Sequence, residues 1–101
     1  MNKAKLVRNN IPKIIVSDGK APVTHIASDK EHLKMLKEKL DEEVREFFKD
    51  ESEEELADVL EVIDAIIAYK KFDKNKIAMI KEKKAKERGS FSKRIVLERI
   101  E

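Results

Sequence analysis

The stretch Ser52-Glu53-Glu54-Glu55-Leu56-Ala57-Asp58-Val59-Leu60-Glu61-Val62-Ile63-Asp64-Ala65-Ile66-Ile67-Ala68-Tyr69-Lys70-Lys71 decides the fold. It opens on Ser-x-x-Glu, a capping box in which the serine hydroxyl and the glutamate satisfy backbone N–H groups at a helix start. No glycine or proline interrupts it. Leu56, Val59, Leu60, Ile63 and Ile67 recur at spacings of three and four, which places them on one side of a helix. Val62, Ala65, Ile66 and Tyr69 carry the apolar character around much of the remaining circumference. A helix that is apolar nearly all round needs burial from several directions. A three-helix monomer supplies too little cover, so the sequence predicts a homo-oligomer, dimer or tetramer, with this helix at its centre.

Working outward, Ser28-Asp29-Lys30-Glu31 is another capping box and opens an earlier long helix. Leu33, Leu36, Leu40, Val44 and Phe47 draw its apolar stripe, and the helix is expected to end near Asp50. Asp73 caps a third helix from about Lys74 to Arg88, stopped by Gly89 beyond its last turn. Between Lys30 and Arg88 the chain has neither glycine nor proline. Nearer the start, Ile11-Pro12-Lys13-Ile14-Ile15-Val16 suits a short helix with proline in the first turn. Pro22-Val23-Thr24-His25-Ile26 and Arg94-Ile95-Val96-Leu97 are short enough to be strands that pair with each other. The fold class is therefore all-α: a helical hairpin plus a third helix, short extended segments toward the termini, and a bundle completed by oligomerisation.

At 101 residues, the expectation is a single domain spanning 1–101, burying roughly 65% of its unfolded surface around one modest core. Charged residues make up 44% and hydrophobic residues 41%, a helix-rich and non-disordered profile. Net charge is +2 from 23 basic and 21 acidic residues, a balance that argues against a general nucleic-acid binder. The absence of cysteine excludes disulfides and thiolate metal sites. Met1-Asn2-Lys3-Ala4-Lys5 leads into no long apolar run, so neither a signal peptide nor a membrane span is expected, and the cytoplasm is the default location.

Two acidic motifs carry the chemistry: Glu42-Glu43-Val44-Arg45-Glu46 and Glu55-Leu56-Ala57-Asp58. Acids three apart share one helix face, a turn apart. At about 100° per residue, Glu43 and Glu46 fall on one flank of the Leu36-Leu40-Val44 stripe, whereas Glu42 points away from it. Glu55 and Asp58 lie on a line continued by Val62, Ala65 and Tyr69. Acids on so apolar a face are costly unless paired or bound to metal. Each acid taken alone has a simpler explanation. Glu55 completes the Ser52 capping box, and Glu42, Glu43 and Glu46 can pair with Lys39 or Lys49. Two Glu-x-x-acid pairs on consecutive helices nonetheless form the oxygen-donor set that a hard divalent ion prefers.

Glu-Glu-x-x-Glu followed by Glu-x-x-Asp resembles the signature of the MazG-like all-α nucleoside triphosphate pyrophosphohydrolases. Lys5-Leu6-Val7-Arg8 with Ile11-Pro12 is similar to the opening of a small branch of that superfamily, which reads Lys-Leu-Val-Arg-Asp-Lys-Ile-Pro. Arg88-Gly89-Ser90-Phe91 with Arg94-Ile95 resembles an Arg-Gly-Gly-Phe ending followed by Arg-Ile. Two departures stand out: Asn9-Asn10 replaces Asp-Lys, and Ser90 replaces the second glycine.

The resemblance implies that Glu43, Glu46, Glu55 and Asp58 hold Mg²⁺, with Mn²⁺ as an alternative. It implies attack of water on a nucleotide phosphorus, giving a monophosphate and pyrophosphate, with Glu43 and Glu46 as catalytic carboxylates and Glu46 taking the water's proton. Lys5, Arg8, Lys84 and Arg88 are the expected substrate-binding cations, Arg8 foremost for its setting in a short apolar motif. His25 and His32 are expected to be polar surface or strand residues. Phosphoribosyl-ATP or a modified nucleotide is an alternative substrate, and a non-catalytic helical interaction module is an alternative role. A nucleic-acid binder using Lys3, Lys5, Arg8 and the Lys81–Lys86 run is opposed by the near-neutral balance.

Overall fold

A computed structural model describes residues 4–101, so Lys3 lies outside the described residues. The architecture is all-helical, with α1 at Ile11–Ser17, α2 at Asp29–Lys49, α3 at Glu53–Lys70 and α4 at Lys74–Arg88. The chain divides into two compact units, Met1–Lys70 and Lys71–Glu101. No helix among the described residues is long and apolar enough to cross a membrane.

In the first unit, α1 begins on Ile11-Pro12, where proline costs no helical hydrogen bond and its fixed φ suits the first turn. The start of α2 is held by Ser28, whose Oγ accepts from the Glu31 N–H at 3.2 Å. Only half of that capping box forms. The Glu31 carboxylate turns instead to His25, with Nε2 at 2.9 and 3.1 Å from its two oxygens. At the start of α3, Ser52 Oγ accepts from the Glu55 N–H at 3.2 Å. The link between the two helices is only Asp50 to Ser52, tightened by a Ser52 N–H to Asp50 carbonyl bond of 2.7 Å. So short a connection makes α2 and α3 antiparallel neighbours, and they pack along their lengths.

The core lies between these two helices. Leu36 is 2% exposed, and Val59 and Val62 are also buried. Leu33, Leu40, Val44 and Phe47, the rest of the α2 stripe, are half-buried. On α3 the buried side is the Val59-Val62-Ile66-Tyr69 side, while Leu56, Leu60 and Ile63 remain 44%, 55% and 38% exposed. Tyr69 closes the far end of the hairpin by donating its hydroxyl to the Asp29 carbonyl and to Oδ2, each at 3.1 Å. Desolvation and the Asp29 carboxylate push the phenol pKa up.

In the second unit, Asp73 Oδ1 accepts from the Asn75 N–H at 2.8 Å and opens α4. Gly89, at φ 82°, ends that helix in a backbone conformation that side chains rarely adopt. Every residue from 71 to 101 is exposed.

The expected strands do not form: no strand occurs among the described residues. Pro22 lacks the N–H a ladder needs, and Val23 and Ile26 are almost wholly exposed, with no apolar surface to hold them in a sheet. Arg94 adopts φ 61°, which breaks the extended run at its first residue.

Candidate functional site

Rows of side chains from α2 and α3 face each other across a groove. Along α2, His32, Leu36, Lys39 and Glu43 follow one another at helical spacing; along α3, Asp58, Val62 and Ala65 do the same. The segment before α1 and the first turn of α1 form the third wall, enclosing a cavity of about 710 Å³ within the first unit. Its floor is apolar, and its charged groups include Arg8, Lys39, Glu43 and Asp58.

At the charged end, Glu43, Glu55 and Asp58 each offer a carboxylate oxygen, all within 4.8 Å of one another. The three side chains arrive there for local reasons. Glu55 is fixed by the Ser52 cap, Asp58 follows one turn later, and Glu43 stands two turns beyond Leu36 on the packed face of α2. Octahedral ligands on opposite sides of one Mg²⁺ are about 4.2 Å apart. Small side-chain rotations would bring these oxygens onto one hard cation, with coordination positions to spare for water. The donor set fits such an ion.

Two cations border the cluster. Arg8 Nη2 donates to Asp58 Oδ1 at 2.7 Å, tying the N-terminal segment to α3 across 50 residues. Lys39 Nζ lies 3.3 Å from Glu43 and 3.5 Å from Glu42. With side chains 18% and 13% exposed, Lys39 and Glu43 form the best-shielded ion pair of the site. Lys5 reaches Glu42 at 3.4 Å, so Glu42 is held away from the cluster by two lysines.

The Glu55 carboxyl is pushed above its ordinary range. Its pKa is raised, first by desolvation and then by the charges of Asp58, Glu46, Asp50 and Glu43.

Glu46 stands apart from the three-oxygen cluster. Its carboxylate lies 3.7 Å from Lys49, close enough to Glu55 to act on it by charge alone. Lys84 and Arg88 lie one turn apart on α4, in the second unit, both exposed. His32, expected at the surface, is half-buried against the cavity, edge-on to Tyr69 with ring centroids 5.5 Å apart. From the sequence Lys39 reads only as an ion-pair partner. Its spacing, three after Leu36 and four before Glu43, is the signal that places it on the groove.

Comparison with known proteins gives little more. An uncharacterised protein of Mycolicibacterium smegmatis is 49% identical over 43 residues, which is 43% of this chain and 44% of that protein. The chain thus covers less than half of the length of the relative it matches. No family model matches the sequence, and no solved structure matches it.

Proposed function

We propose that this chain is a MazG-like nucleotide pyrophosphohydrolase of the cytoplasm, hydrolysing a nucleoside triphosphate to its monophosphate and pyrophosphate with Mg²⁺. The observation that carries the reading is the convergence of Glu43, Glu55 and Asp58 oxygens within 4.8 Å, from two consecutive helices, at one end of a cavity of nucleotide-compatible size. Glu43, Glu55 and Asp58 hold the ion, and Glu46 joins them as a ligand or base. The bound ion supplies charge neutralisation on the phosphates and a water of lowered pKa. Glu46, outside the three-oxygen cluster but beside Glu55, takes the proton of the attacking water. Arg8, now on Asp58, has a planar fork suited to phosphate oxygens and transfers to them when substrate arrives. Lys5 and Lys39 add positive charge at the same end, while Lys84 and Arg88 are the phosphate-binding candidates of the second unit. The exposed Leu56-Leu60-Ile63 row of α3 supports assembly as a homodimer or homotetramer.

The test is a screen of common, deoxy and damaged nucleoside triphosphates for Mg²⁺-dependent pyrophosphate release. At least one is turned over, and Asp58→Asn abolishes turnover while circular dichroism stays unchanged. A screen without turnover sinks the reading.

A second reading, a non-catalytic interaction module, is favoured by one observation: Lys39 and Arg8 already pair with Glu43 and Asp58, so these acids have partners without a metal. The two differ in the response to Mg²⁺. As an enzyme the protein melts higher when the ion is added; as an interaction module it does not.

A further inference from the structure

The cavity is much larger than three carboxylates and an ion require, and away from its charged end the walls change character. Ile14 from α1, Leu36 from α2, and Val62 and Ala65 from α3 form an apolar lining, with His32 of α2 and Glu61 of α3 as the polar side chains among them. Beside that lining stand Asn9 and Asn10. Asn10 occupies the N-cap position of α1, where an asparagine side chain ordinarily accepts from the first turn, yet it makes no capping bond. The turn is closed by backbone alone, through Ile11 N–H to the Arg8 carbonyl at 3.1 Å. Neither Asn9 nor Asn10 has a side-chain hydrogen bond among the described residues. Both residues are exposed, so two adjacent amides, each with donors and an acceptor, stand solvated and without protein partners at the edge of the slot.

Their place along the chain supplies the second constraint. The Arg8 guanidinium rests on Asp58 at the charged end, and at most about 7 Å separates the Cα atoms of Arg8 and Asn10. A ligand whose phosphates lie at the acids and Arg8 therefore presents its next portion to the amides and the apolar lining. A planar heterocycle fits both: its faces suit apolar side chains, and its edge offers alternating donors and acceptors.

Resting on the nucleotide reading above, we propose that Asn9 and Asn10 are the specificity-determining residues of this chain, their amides pairing with the edge of the nucleobase while Ile14, Leu36, Val62 and Ala65 pack on its face. An asparagine amide reads a base edge through paired donor and acceptor contacts. A site built on such contacts discriminates strongly against ligands that cannot complete them.

The experiment is calorimetric titration of the full chain in Mg²⁺ with inorganic tripolyphosphate, with free nucleosides, and with α,β-methylene nucleoside triphosphates carrying each common base. At least one nucleotide binds about tenfold or more tighter than tripolyphosphate. In Asn9→Ser/Asn10→Ser that advantage collapses while tripolyphosphate affinity is kept. Asn9→Asp and Asn10→Asp, which keep side-chain size and exchange a donor for charge, reorder the preference among bases and guard against a misfolded double variant. An advantage unchanged in all three variants, or no advantage in the wild type, overturns the proposal. Tripolyphosphate that fails to bind, while a free nucleoside binds in an asparagine-dependent way, removes the phosphohydrolase reading and leaves the base site standing.

Discussion

Glu55 is the residue on which the two demands of the site collide. Its backbone holds a structural position at the Ser52 cap, while desolvation and then the charges of four neighbouring acids raise the pKa of its carboxyl. Because its folded pKa is raised, folding takes up a proton between the ordinary value of 4.5 and the raised one. The resulting destabilisation is absent below the lower value and complete above the higher. Metal-free protein should therefore gain stability from this group as pH falls through that window, and Glu55→Gln should melt higher than wild type at neutral pH without metal. If the acids hold Mg²⁺ as proposed, the rise in melting temperature that the ion produces should shrink over the same pH range, because proton and ion compete for the carboxylate. A melting series from pH 4 to 8, with and without Mg²⁺, checks both. Asp58 behaves differently. Clustering alone predicts that Asp58→Asn also stabilises, but the Arg8 pair offsets that gain. Both partners are substantially exposed, so the pair contributes at most about 1 kcal/mol, and the melting point of Asp58→Asn should move little.

At the scale of elements, the α2–α3 hairpin carries the first unit, and its packing is concentrated on Leu36. Leu36→Ala should cost about 2–4 kcal/mol by transfer and cavity terms, readable as a lowered urea midpoint. On the proposed metal reading it should also weaken Mg²⁺ binding, because Glu43 is positioned by the same helix face. The helices themselves were legible in the sequence: Ser28, Ser52 and Asp73 cap where their spacing predicts, since caps and helical periodicity are local properties. The strands were not. Val23-Thr24-His25-Ile26 has strand-like composition, but pairing is a tertiary event and no partner surface exists for it in the first unit.

At the scale of the whole molecule, the row Leu56, Leu60 and Ile63 remains exposed on α3. We expect it to lie at a contact between copies. Sedimentation should give a dimer or tetramer, and Leu60→Glu should shift it toward monomer with helix content intact. A wild-type monomer at high micromolar concentration would count against the assembly. By itself the sequence determined the helix boundaries, the apolar stripe of α2 and the Glu55–Asp58 line, because each follows from the 3.6-residue repeat and from capping chemistry within a few neighbours. Only the tertiary structure decided which acids meet. Glu43 joins Glu55 and Asp58 while Glu46 turns to Lys49, and Arg8 crosses 50 residues to Asp58. Those choices depend on the relative rotation of two packed helices and on where the N-terminal segment lies across them, and neither is encoded in spacing along a single helix.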